Sequence, residues 1–365
     1  MPRNSSAYLI MCTLSGCQPI DVTLPVPERV GDHVRFWTDR EEVVCAGSLP
    51  YVDAYTEQLA ALHGVDDVSV DYYFVYPESE LLGQMCHDIA PQARGCAKGK
   101  TVVTTVLPHE HELVHAVRAE FGLSHLFFEE GAAEVWGQAT DRGYEVVRGD
   151  VREALTSTTS PLPEELMPLA GLFAAFLVDR HGPQILVDLA RETDPSSTSD
   201  EIAVAFTAAG VSLTEEISAF EGEAWNCSRS LYRDDSVECA LAPPVDCSLA
   251  DEAGSVTVFL DLECSAEAAV GPRDGLIWTT VTFEQPTWTN LAISTESLNG
   301  DPGGLEVSFV GCHTGCADNV FTIPANTELE LMLPAGQYLI RATRPAEPDG
   351  DGTSGVAVTL HGLCV

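Results

Sequence analysis

An α+β unit followed by an all-β sandwich is the architecture this sequence predicts, and three observations carry it. Strand-like runs and runs with 3.6-residue apolar spacing alternate over the first two thirds of the chain. Composition then changes at "LAPPVDC", residues 241–247, beyond which short alternating runs are separated by glycine, proline and asparagine. Finally, 365 residues with 45% hydrophobic content suffice for two units, each with a core of its own.

The elements follow in order. "HVRFWT" reads as a strand, "LPYVDAYTEQLAALHG" as an amphipathic helix ended by Gly64, and "VSVDYYFVYP" as a second strand dense in branched and aromatic residues. A loop holding Cys86 and Cys96 leads to "KTVVTTVL", a third strand. Pro108 then opens a helix running to Phe121, with Gly122 after it. Residues 124–139 form a further helix with Ser124 as N-cap. "LMPLAGLFAAFLVDRHG" is apolar enough for a buried core helix, while Asp179, Arg180 and its length argue against a membrane span. "PQILVDLARET", "SDEIAVAFTAAG" and "SLTEEISAFEGEAW" continue as helices. In the last third, "SVTVFLDLEC", "LIWTTVTFEQ", "TNLAISTE", "LEVSFVG", "ELELMLPAGQYLIRATR" and "GVAVTLHG" are sandwich strands.

Charge narrows the function classes. The formal net charge is −38, from 56 acidic and 18 basic side chains spread along the whole chain, which excludes nucleic acid as a partner. The chain is expected to be a monomer.

The first 17 residues have one arginine, a short apolar run and then "LSGC", which resembles the lipobox of bacterial lipoproteins. The resemblance implies cleavage before Cys17 and acylation of that cysteine. Residues 1–17 are then a signal and residues 18–32 a linker. The mature protein is a cell-envelope lipoprotein, at the outer membrane or cell surface, or is secreted. Ten cysteines remain after Cys12 and Cys17, an even set that reads in an exported chain as a disulfide framework. Cys86 with Cys96 is the pairing expected first. Five of the ten precede the boundary and five follow it, so complete pairing requires at least one bridge between the units. "GCHTGC" reads as disulfide cysteines rather than a metal clamp, since no CxxC pair accompanies it.

Chemistry concentrates in "LPHEHELVHAV". His111, Glu112 and His115 form HExxH, which on a helix sets both imidazoles on one face and a glutamate beside the ion they would share. His109 is assigned a capping or solvent-facing role. Catalytic zinc takes three protein ligands and a water, so a third donor must come from a neighbouring element. Downstream, "LFFEEGAAEVWG" sets Glu130 and Glu134 one turn apart on a helix able to pack antiparallel to the first.

Here the sequence resembles the gluzincin metallopeptidases, which include thermolysin-like and aminopeptidase N-like enzymes. Phe127, Phe128, Glu130, Gly131 and Glu134 fit the family's downstream helix, and the looser likeness covers residues 34–225. The resemblance implies a gluzincin-like catalytic domain, residues 33–240, with a small mixed sheet and a helical half, ahead of the sandwich, residues 247–365. It implies Zn2+ held by His111, His115 and Glu130, with Glu112 as general base and Glu134 accepting a hydrogen bond from His111. Glu134 is the alternative third ligand, because its distance from His115 matches the aminopeptidase N-like spacing, whereas a glycine follows Glu130. The proton donor that the family supplies is not identified; Tyr144, His181 and His125 are candidates. "GQMCHD" does not match the family's exopeptidase motif, so an endopeptidase acting on protein or peptide is the function implied. The alternative is a zinc-binding but inactive surface or adhesion lipoprotein of the same fold.

Overall fold

The structure is a computed structural model and describes residues 6–11, 18–86, 93–137, 149–157, 161–223, 236–287, 289–299, 303–312, 320–346 and 354–364. β1 (Ser6–Met11) pairs antiparallel with β2 (Gln18–Thr23). A five-stranded mixed sheet follows, built from β3 (Arg29–Val30), β4 (Val34–Thr38), β5 (Val70–Phe74), β6 (Gly95–Lys98) and β7 (Thr101–Thr104) in the order β3-β4-β5-β7-β6. β4, β5 and β7 run parallel, and the two edge strands are antiparallel to them. The sheet thus begins at Arg29, inside the segment read as a linker.

α1 (Ser48–His63) buries Val52, Tyr55, Thr56, Leu59, Ala60 and His63, a stripe of 3.6-residue period. It stops at Gly64, whose φ of 62° is the left-handed conformation a C-cap glycine supplies. The Asp53 carboxylate accepts hydrogen bonds from the amides of His33 and Val34 at 2.8 and 2.7 Å, which fixes α1 against the start of β4. α2 (Glu80–Cys86), within the segment read as a loop, carries Cys86 to its disulfide with Cys96 on β6, the pairing expected from sequence.

The helical part comprises α3 (Glu110–Arg118), α4 (Leu126–Trp136), α5 (Val151–Ala154), α6 (Met167–His181), α7 (Gln184–Glu192), α8 (Ser199–Ala208), α9 (Leu213–Glu223) and α10 (Ser236–Leu241). α3 starts at Glu110 rather than at Pro108, and His109 occupies its N-cap position with extended rather than helical dihedrals. Ser124 does not cap α4; His125 stands there, and the Ser124 hydroxyl donates to the Glu129 carboxylate instead. α6 buries Leu169, Phe173, Phe176 and Leu177, as its apolar sequence requires, and no single helix among the described residues is long and apolar enough to cross a membrane.

β8 (Val256–Asp261), β9 (Val270–Arg273), β10 (Leu276–Gln285), β11 (Thr289–Leu298), β12 (Glu306–Gly311), β13 (Val320–Pro324), β14 (Glu328–Leu333), β15 (Gly336–Pro345) and β16 (Gly355–His361) complete the chain. They form two antiparallel sheets, β13-β12-β15-β10-β9 and β14-β11-β16-β8. Val307, Phe309, Tyr338 and Ile340 from the first meet Val256, Leu260, Ile293 and Val358 from the second in one core, as in a sandwich. Four disulfides among the described residues assign the chain to an oxidising, exported environment. Two of them, Cys45–Cys264 and Cys239–Cys312, join the α+β unit to the sandwich, where the cysteine count required at least one. Cys17, Cys227 and Cys316 lie outside the described residues.

His63 supplies a pH test of this packing. It is buried against Trp136 at 4.7 Å between ring centroids, and its Nδ1 donates to Leu59 O at 2.8 Å. Burial first, then the nearby Arg118 charge, lowers its pKa from 6.5 to about 3. The folded state therefore holds His63 neutral while the unfolded chain protonates it, so its contribution to stability is complete above pH 6.5 and is lost as pH falls toward 3. Over that window the unfolding free energy of the wild type is expected to drop about 1.4 kcal/mol per pH unit faster than that of His63→Phe, measured by denaturant titration.

Candidate metal centre

The site is built where α3 and α4 lie antiparallel, and two contacts set that arrangement. At one end Arg118, closing α3, meets Glu129 in the first turn of α4 in a two-point pair, Nε to Oε2 and Nη2 to Oε1, both at 3.1 Å. Arg118 is fully buried and Glu129 nearly so. Nη2 also donates to Leu186 O at 3.4 Å, and Ser124 adds a donor to Glu129. Burial alone would raise the Glu129 pKa, but Arg118 outweighs it and holds the carboxyl below its usual range. At the other end Gly137, just past α4, lies on the backbone of His111: a Cβ there would stand 2.3 Å from His111 Cα. Only glycine permits that approach.

The far side of α4 is fixed by α6 through small residues. A Cβ on Gly131 would meet Ala170 O at 2.7 Å, and one on Gly171 would meet Glu134 Cβ at 2.6 Å. The glycine that follows Glu130 is therefore there to let α6 close on α4. The Tyr55 hydroxyl donates to Trp136 O and ties α1 to the same helix.

With the helices held so, His111, His115 and Glu130 converge. His111 Nε2 stands 3.3 Å from His115 Nε2 and 3.3 Å from Glu130 Oε2, and His115 Nε2 is 3.7 Å from that oxygen. Among the described residues this is the one His, Cys, Asp and Glu group close enough to hold a metal ion. A tetrahedral ion with bonds of about 2.0–2.1 Å sets its ligand atoms roughly 3.3–3.4 Å apart, so the three donors form one face of such a tetrahedron and leave its fourth corner open. Glu130 Oε2 is sealed from solvent without a hydrogen bond of acceptable geometry, the condition of an atom shaped for a cation rather than a donor.

The electrostatics agree. Burial disfavours charge on His115, yet the Glu130 carboxylate, assisted by Glu112, raises its pKa to about 9. Glu130 is likewise penalised by burial but is driven well below the carboxylate range by His115 and His111. When no ion is bound, Glu130 and His115 are held as a charged pair.

Glu134 Oε1 faces His111 Nδ1 at 3.8 Å, the nitrogen expected from sequence but beyond hydrogen-bond length. Glu130, not Glu134, therefore stands among the two Nε2 atoms. Glu112 is half-buried one residue along α3. His109, read as capping or solvent-facing, has no capping hydrogen bond; Thr104 Oγ1 lies 2.8 Å from its Nδ1, and its ring centroid is 6.4 Å from that of His111. The proton-donor candidates do not gather here. His181 ends α6 against Glu216 at 3.3 Å, ten residues and about 15 Å of helix from Gly171. His125 is buried beside Phe128 and Thr193 at the start of α4, and Tyr144 lies outside the described residues. Sequence reasoning did not single out Arg118, Glu129 or Gly137, although an arginine on an otherwise apolar helix face was an available signal.

No family model and no curated protein matches this chain. Among solved structures, it is similar to the pre-peptidase C-terminal domain of a Bacillus anthracis collagenase, at 15% identity and a TM-score of 0.21, over 32% of this chain and 91% of that one. It is also similar to a periplasmic inhibitor of g-type lysozyme from Aeromonas hydrophila, at 13% identity and a TM-score of 0.21, over 33% and 94% of the two chains.

Because Arg118 and Glu129 are buried together, removing one charge strands the other. Arg118→Met is expected to destabilise the fold by about 3–5 kcal/mol, and adding Glu129→Leu to restore most of that loss, measured by denaturant unfolding.

Proposed function

We propose that this chain is an exported zinc-dependent metallopeptidase of gluzincin type, an endopeptidase on protein or peptide substrates, anchored to a membrane through a lipid at Cys17. The observation that carries the reading is the donor triangle of His111, His115 and Glu130, with the Glu112 carboxylate one residue along the same helix. Two imidazoles and one carboxylate are the donor set of a hydrolytic zinc site. Zinc, when bound, supplies Lewis acidity to a substrate carbonyl and lowers the pKa of its water.

The chain's own residues do the rest. Glu112 accepts the proton of the attacking water and returns it to the leaving amine. Glu134 stands on the Nδ1 side of His111, 3.8 Å away, and by closing to hydrogen-bond length would keep Nε2 directed at the ion. Phe127 and Phe128 pack the back of α4 into the core, so that Glu130 is held without slack.

A specific observation also favours the second reading, a zinc-binding but inactive surface protein: among the described residues neither His181 nor His125 reaches the centre. Glu112 argues for activity, since an inactive binder has no use for a base.

Purified protein is expected to hold about one zinc per chain, lost in His115→Ala and in Glu130→Ala, whereas Glu134→Ala retains zinc with affinity about 10–100-fold weaker. Absence of metal in wild type offered zinc would remove the reading. Glu112→Gln is expected to keep zinc and to slow peptide hydrolysis by about 10²–10⁴-fold. A wild type that binds zinc and cleaves no peptide would select the inactive binder.

A further inference from the structure

The sandwich reaches the metal-site helix at its first residue. Glu110 opens α3, directly before His111, and its side chain is only 1% exposed. Its carboxylate is met by Arg273, the last residue of β9, whose Nη1 stands 2.8 Å from both oxygens. Arg273 is pinned in turn, its guanidinium carbon 4.6 Å from the Trp278 ring centroid. Trp278 packs edge-on against Tyr51 at 6.1 Å, and the Tyr51 hydroxyl donates to Glu110 Oε1 at 3.3 Å.

We infer that the sandwich is a working part of the metal centre: Arg273 fixes the first turn of α3, and so the position of His111, by neutralising the buried Glu110 carboxylate. Arg273 is a positioning residue. Tethering alone does not account for it, because Cys45–Cys264 and Cys239–Cys312 already join the units.

The two buried ion pairs at this interface share one sense, whereas the exposed pair of Arg94 with Asp274 runs the other way. Glu238 on α10 is as buried as Glu110 and pairs with Arg341 on β15, with Nε to Oε1 at 3.1 Å. Both carboxylates belong to the α+β unit and both guanidiniums to the sandwich. With the units joined, loss of either guanidinium would leave its carboxylate buried without compensation. The α+β unit therefore depends on the sandwich for the geometry of α3. Local anchors act beside it: the His109 amide donates to the Tyr72 hydroxyl at 3.0 Å, Thr104 Oγ1 lies 2.8 Å from His109 Nδ1, and the His111 backbone rests on Gly137.

The effect on metal affinity rests on the zinc reading above, whereas the positioning does not, and the experiment separates them. Hydrogen exchange is followed on the metal-free mature chain at the amides of Leu113 and Val114, the first that can bond back to the opening turn of α3; Leu113 N donates to His109 O at 3.2 Å. In Arg273→Met these amides are expected to exchange about tenfold faster or more, with sandwich-core amides unchanged. Adding Glu110→Gln removes the stranded charge and is expected to return exchange to within about threefold of wild type. Arg273→Lys keeps the charge, and so the fold, but loses the planar fork; it is expected to loosen the same amides by about threefold and decides the matter if Arg273→Met does not fold. Zinc affinity, by chelator competition, is expected to fall about 10–100-fold in Arg273→Met and to recover in the double variant. Unchanged exchange in Arg273→Met, or in Arg273→Lys where only that variant folds, overturns the inference even if wild type holds zinc. A wild type without zinc but with the expected exchange pattern removes the zinc reading and leaves the positioning.

Discussion

The buried pair between Arg118 and Glu129 is the constraint on which the rest of the site depends. Three ligand atoms on two helices converge only if those helices keep a fixed offset, because sliding α4 by one residue would move Glu130 by about 1.5 Å and turn it by about 100°. Apolar packing chooses the face of α4 that is buried, and a two-point guanidinium–carboxylate pair adds a planar geometry satisfied at one offset. The pair also explains the doubled glutamate at the start of α4. Glu129 turns into the core to hold α3, and its neighbour Glu130 is thereby directed at the two imidazoles.

A second constraint comes from close approach. Gly131, Gly171 and Gly137 stand where a side chain would strike Ala170, Glu134 and His111 respectively. The centre is thus placed between backbones brought near by glycine on both faces of α4, with its three donor residues half-buried and facing one another. Against the cost of burial, the Glu130 carboxylate and the two imidazoles stabilise each other's charged forms, which raises the His115 pKa and lowers that of Glu130.

How much of this was legible depends on the reach of each interaction. HExxH is local, and helical periodicity alone brings His111 and His115 together; Glu130 was favoured for the glycine that follows it, although the distance from His115 pointed to Glu134. The outline of the fold was readable too, from the strands of the parallel sheet to the turn-punctuated sandwich, and so was Cys86–Cys96 across a short loop. Short elements escaped: "GCAK" and "VGPR" are four-residue strands interrupted by glycine or proline, and α2 contains Gly83. The helix starts slipped for a related reason. Pro108 and Ser124 are good opening residues in isolation, but tertiary contacts claimed the flanking segments, with Ser124 bonded to Glu129 and the His109 amide bonded to Tyr72. Long-range ion pairs left little sequence trace beyond Arg118 on an otherwise apolar helix face. Arg118, Arg273 and Arg341 look like surface charges until the fold sets them against Glu129, Glu110 and Glu238.

The central claim is that one cation belongs at the meeting point of His111, His115 and Glu130, and anomalous scattering at the zinc absorption edge, from crystals grown with zinc, tests it most directly. The account requires a single strong peak about 2.0–2.1 Å from His111 Nε2, His115 Nε2 and one Glu130 carboxylate oxygen, with Glu134 outside bonding distance. A peak bonded to Glu134 in place of Glu130, or no peak between the two imidazoles, would contradict it.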